Sequence, residues 1–166
     1  TCWSFSALSF LESEVMRINK SDEPIVLSEM FIVRKAYEEK ARKYVRMDGK
    51  TNFGEGGAFH DIPYVIKNFG IVPRSVYSGL KKKSDTYNHA EMFKNMDSIV
   101  QQANTSGEGL RSEWIEAYGK ALDEGLGELP ESFKYKGERY TAESFYKMLG
   151  INMSDYISLT SFTNHP

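Results

Sequence analysis

The run Thr1-Cys2-Trp3-Ser4-Phe5-Ser6-Ala7-Leu8 sets the chain's only cysteine immediately ahead of a strongly apolar helix. Phe5, Leu8, Leu11, Val15 and Ile18 recur at spacings of three and four. Trp3, Ala7, Phe10 and Met16 widen that stripe, so a helix from Cys2 to about Lys20 is expected to be buried on most sides. Unpaired amide N–H groups and the helix dipole favour negative charge at its start, where Cys2 stands. A thiol so placed is poised to ionise, and the thiolate is the nucleophilic form. For a lone cysteine without context, an inert small core residue is the favoured reading by about two to one.

Outward from this helix the chain is mostly helical. Ser28 is a good N-cap for a second helix to about Met47, with Met30, Val33, Tyr37, Ala41 and Tyr44 on one face. Glu38/Arg42 and Glu39/Lys43 are spaced as i,i+4 pairs, and half of this helix is expected to be solvated. Asn52-Phe53-Gly54-Glu55-Gly56-Gly57 is too rich in glycine for a regular element and predicts a loop whose backbone comes close to something. A helix from Ala58 to Phe69 closed by Gly70 follows, then a short extended segment from Ile71 to Tyr77 around Pro73. Two amphipathic helices are predicted at Ala90–Gln102 and Leu110–Leu126, joined by Asn104-Thr105-Ser106-Gly107. Phe133–Tyr135 and Glu138–Tyr140 flank Lys136-Gly137 as a hairpin, Thr141 caps a helix to Leu149 that Gly150 stops, and Tyr156–Phe162 alternates like a strand. The fold class expected is mainly α with minor β.

Composition narrows the function classes. The 166 residues are 40% hydrophobic and 13% aromatic, as in a folded domain. Twenty-one Lys and Arg against 23 Asp and Glu leave a net charge of −2, so no bulk positive field draws the chain to nucleic acid or anionic membranes. The Lys81-Lys82-Lys83 run reads as a solvated loop. No apolar run approaches the length of a membrane span. A single cysteine permits no internal disulfide and no cysteine-rich zinc cage; it fits a reducing, cytoplasmic compartment, and neither a metal nor another cofactor is expected.

Cys2-Trp3-Ser4-Phe5 resembles the papain superfamily, in which the nucleophilic cysteine opens the central helix in a C-W-[SA]-F setting. Three more stretches fall in the superfamily's order: Leu27-Ser28-Glu29-Met30, Glu55-Gly56-Gly57, and Tyr64 through Phe69-Gly70-Ile71-Val72-Pro73. Lys43-Tyr44-Val45-Arg46-Met47, Asn52 to Asp61 and Gly70 to Tyr77 are similar to the bleomycin hydrolase or aminopeptidase C branch. The resemblance implies the left-hand helical half of a papain-like α+β cysteine peptidase at residues 1–78. It implies a helical insertion at 79–150, and at 151–166 a strand leading toward a right-hand domain.

By that resemblance Cys2 is the nucleophile of a thiol-dependent aminopeptidase acting on peptides. Gly56 and Gly57 meet the substrate backbone, Gly57 foremost, and a side chain at Gly57 would obstruct substrate without disturbing Cys2. The catalytic His and Asn and the oxyanion Gln are expected outside these residues, so the stretch alone is expected to be an inactive fragment. His60, His89 and His165 stand in no matching context for the general base. The branch forms hexamers, and Met92, Phe93, Met96, Trp114, Ile115 and Tyr118 are expected to cover a homo-oligomer interface. The alternative function is a non-catalytic papain-like module for binding or oligomerisation.

Overall fold

Leu8, Leu11 and Val15, spaced by three and four, form with Ser4 and Ala7 the buried stripe of α1 (Cys2–Asn19). The computed structural model describes residues 1–80, 86–106 and 113–157. Burial of α1 is one-sided rather than on most sides: Phe10, off the buried stripe, is 47% exposed, and Ile18, which continues the stripe at the helix end, is 41% exposed. The described elements pack against only one flank of the helix, so part of the widened apolar stripe is left uncovered.

The second helix, α2 (Glu29–Arg46), is the spine. Ser28 has extended backbone geometry and its hydroxyl accepts from the Phe31 amide at 3.0 Å, satisfying one of the free donors of the first turn. Ten of the 18 helix residues are buried, more than the expected half-solvated helix, because α1 and α3 pack along α2 and so do α4 and α5. Burial extends to Arg34, which bonds Glu38 (3.1 Å), Asp123 (2.7 Å) and the Gly127 carbonyl (2.9 Å). Glu38 therefore pairs backward with Arg34 and Lys35 rather than forward with Arg42, and Arg42 instead approaches Glu39 at 3.9 Å.

Helix α3 (Asp61–Phe69) starts three residues later than the pattern suggested. Pro63 explains the shift: in a helix begun at Ala58 its ring and missing N–H would break an internal turn, whereas in the first turn no intrahelical donor is needed. Gly70 ends the helix at φ 77°, and a Cβ there would strike the backbone at Ala142. The segment after it is extended only in part, with a single bridge between Leu27 and Pro73 flanked by Ser28 N–H to Val72 (2.9 Å) and Arg74 N–H to Val26 (3.0 Å).

Helices α4 (Ala90–Thr105) and α5 (Glu113–Leu126) pack on each other and on α2. Met92, Met96, Trp114 and Tyr118 are between 0% and 8% exposed within the chain, and Tyr118 donates to the Tyr37 carbonyl at 3.1 Å. Of the apolar residues expected to seek another subunit, these four are thus covered within the chain by α2 and by the packing of α4 on α5, while Phe93 and Ile115 are half-buried. Buried residues of α4 and α5 belong to the same core cluster as those of α1 to α3.

β1 (Phe133–Tyr135) and β2 (Glu138–Tyr140) pair antiparallel through Lys136 and Gly137, both at positive φ, the geometry of a two-residue hairpin turn. Helix α6 (Ala142–Met148) begins with a Thr141/Ser144 capping box. The Asn19 side chain donates to the Leu149 carbonyl at 2.8 Å and so joins the end of α1 to the end of α6. A 3-10 turn, Met153–Asp155, was not foreseen. Of the expected strand at Tyr156–Phe162, Tyr156 and Ile157 have no regular structure and the rest lies outside the described residues, as do the lysine run at 81–83 and the start of the expected helix at Leu110.

Ser28→Ala should lower stability by about 1–2 kcal/mol in urea unfolding, since it removes both the cap and the hydroxyl bond to the Tyr77 carbonyl. Glu12 accepts the Leu27 amide at 2.7 Å, and burial holds its carboxyl above the usual range against the opposing effects of that bond and of Arg74. A raised folded-state pKa favours folding at low pH and loses that contribution as pH rises through it. The Tm advantage of Glu12→Gln over wild type should therefore be absent in acid and open as pH climbs above about 4.5.

Candidate active site

Three consecutive residues after Cys2 each grip a different part of the chain. The Ser4 hydroxyl, fully buried, donates to the Glu29 carbonyl at 3.0 Å, fixing the first turn of α1 against the first turn of α2. The Glu29 carboxylate is buried and paired with Arg74, whose Nε lies 2.8 Å away and whose guanidinium sits 5.4 Å over the Phe5 ring. Trp3 packs on Gly57 so closely that a Cβ there would lie 2.6 Å from the indole. The four stretches singled out in the sequence thus meet around the first turn of one helix.

The glycine loop is tied to α2 from two positions. Tyr37 donates to the Glu55 carbonyl at 3.1 Å, and burial pushes its phenol up to about 12, so it stays a donor over the whole neutral range. Lys40 donates to the Gly56 carbonyl and holds its ammonium 5.9 Å over the Trp3 ring, a cation–π distance. Neither residue belonged to a recognisable motif. Their spacing of three along α2 was visible, but not which loop that face would meet.

Cys2 is the first residue of α1 and its side chain is exposed. Thr1 makes no side-chain cap and no acidic residue occupies the first turn, so nothing within the helix offsets the positive end of its dipole. Among the described residues the thiol has no hydrogen-bond partner. His60 is exposed at the N-cap of α3, with Nε2 3.6 Å from Asp61. His89 begins α4 half-buried, 6.0 Å from the Tyr87 ring that packs edge-on against Phe5; burial lowers its pKa, and its Nε2 is without a partner. Neither bonds Cys2. His165 lies outside the described residues.

The loop forms a ridge between two cavities. On one side a groove of about 590 Å³ is walled by Trp3, Ala7, Phe10, Phe59 and Tyr156, with Phe10 in edge contact with the Phe59 and Tyr156 rings. On the other, a cavity of about 860 Å³ opens between α2 and α3 and is rimmed by Lys40, Lys43 and Arg46. Gly57 borders both. Among the described residues no cluster of His, Cys, Asp and Glu could hold a metal, and no helix is long and apolar enough to cross a membrane. No protein-family model and no curated protein matches the chain.

Packing gives Gly57 a reason of its own to be glycine. Gly57 is glycine because Trp3 fills the space a side chain would need, whereas the Cβ position of Gly56 is open with nothing within 4 Å. Gly57→Ala should therefore displace Trp3. In a Trp114→Phe background it should shift the indole emission and change the rate of Cys2 alkylation by about threefold or more. Gly56→Ala should leave both unchanged.

Proposed function

We propose that this chain carries the nucleophile-bearing part of a papain-like thiol peptidase, with Cys2 as the attacking group. The supporting observation is the convergence around α1: Trp3 on the glycine loop, Ser4 on the Leu27-Ser28-Glu29 turn, and Phe5 under Arg74 of the segment that follows Gly70. A sequence likeness scattered over 70 residues has no reason to assemble around one cysteine unless those stretches serve it together.

In this reading the Cys2 thiolate attacks the carbonyl carbon of a peptide whose backbone lies along Glu55-Gly56-Gly57. The C–N bond breaks as the leaving amine takes a proton from an imidazolium, and water then hydrolyses the thioester and returns the proton to restore the thiol. Neither His60 nor His89 bonds Cys2, so in this reading the imidazole, the group orienting it and the oxyanion donor come from polypeptide outside the described residues. That polypeptide would also cover the open apolar side of α1. The resemblance narrows the activity to an aminopeptidase in the cytoplasm and the assembly to a homo-oligomer. Such an assembly would use surfaces other than Met92, Trp114 and Tyr118, which the chain buries itself.

Among the described residues no histidine bonds Cys2, which is also what a non-catalytic binding module of the same architecture would show, and one experiment separates the two. The full-length protein should hydrolyse amino-acid and peptide amides, lose that activity in Cys2→Ser, and lose it on iodoacetamide treatment in step with modification of Cys2. Turnover that survives Cys2→Ser, or a thiol no more reactive than free cysteine in a protein without turnover, would overturn the peptidase reading.

A further inference from the structure

The cavity between α2 and α3 is set up to receive negative charge. Lys40, Lys43 and Arg46 follow one another at intervals of three on α2, within about 120° of its circumference, and all face this space. Two carboxylates share the cavity, but their oxygens are already engaged. Glu39 takes the Tyr64 hydroxyl at 3.1 Å and lies 3.9 Å from Arg42, while Asp61 accepts the Ala58 amide at 2.9 Å and lies 3.6 Å from His60. Among the described residues neither Lys43 nor Arg46 has an ion-pair partner, while Lys40 is engaged by the Gly56 carbonyl, the Trp3 ring and the charge of Asp61. The Thr51 hydroxyl oxygen, also lining the cavity, is buried without a hydrogen-bond partner. Two cations outside any ion pair, Lys43 and Arg46, and an idle hydroxyl share a space bounded by the loop that carries Gly56 and Gly57.

Resting on the peptidase reading, we propose that this cavity is a specificity pocket for an acidic side chain of the peptide bound along Gly56-Gly57. A residue held on that ridge has an apolar groove on one side and this cationic cavity on the other. A carboxylate entering the cavity meets two unpaired cations, while a lysine entering it meets like charge with both acids already engaged.

The test uses the full-length protein and a peptide library randomised on the N-terminal side of the cleaved bond, at low ionic strength. One position should favour Glu and Asp over Lys by about tenfold, with the preference shrinking as salt is raised. Lys43→Gln/Arg46→Gln should abolish the preference and Lys43→Glu/Arg46→Glu should invert it. Because the same Glu/Lys ratio is also read by equilibrium binding of fluorescent acidic and basic peptides to the Cys2→Ser protein, the pocket is judged even if no peptide is cleaved. Cys2-dependent cleavage, or binding, with no acidic preference, or a preference untouched by the charge reversal, overturns the pocket and leaves the peptidase reading standing. Acidic preference in binding without Cys2-dependent cleavage overturns the peptidase reading instead.

Discussion

A buried carboxylate constrains everything near the start of this chain. Glu29 has a side chain only 6% exposed, and a charge so enclosed must be matched or it destabilises the fold by several kcal/mol. Arg74 matches it, and Arg74 is held in turn by the hydrogen bond from its backbone N–H to the Val26 carbonyl and by its guanidinium over the Phe5 ring. The Glu29 backbone carbonyl meanwhile takes the Ser4 hydroxyl, and the neighbouring Ser28 serves as cap, donor to Tyr77 and partner of Val72. Two adjacent residues thus register α1, α2 and the segment after Gly70 against one another. The position of Cys2 follows from that registration, since Ser4 fixes the turn in which the cysteine sits.

The second organising fact is that α2 is covered from both sides. Helix α5, with α4 beside it, buries Tyr118, Leu122 and Leu126 in the same core that holds Leu8 and Phe31. Arg34 makes the attachment polar as well as apolar, through Asp123 and the Gly127 carbonyl. The helical pair is therefore a structural partner of the part that carries Cys2, because shifting it would unseat the helix whose Tyr37 and Lys40 hold the glycine loop.

Much of this was legible from local pattern. The caps at Ser28 and Thr141, the Lys136-Gly137 turn and the stop at Gly70 depend on residues within a few positions, and each element formed near its expected bounds. Pattern failed where the answer lay in another part of the chain. Periodicity reported that Trp114 and Tyr118 were apolar but not that α2 would cover them, and it could not say that the open flank of α1 would stay open. The glycine pair was found through its resemblance, yet the reason for the second glycine, the indole of Trp3, is a contact across 54 positions that no local rule reports. Lys40 was invisible for the same reason.

The bond from Asn19 to the Leu149 carbonyl carries a consequence for how the molecule comes to be made. It joins residues 130 positions apart, and Gly70 likewise cannot settle until Ala142 exists. A ribosome has to deliver nearly the whole described chain before the C-terminal end of α1 finds its partner. Closing so distant a contact incurs its loop entropy before any packing reward, which makes folding slow for a helix-rich protein. Until then the nascent chain holds its apolar helix unprotected, a window in which proteases compete with folding.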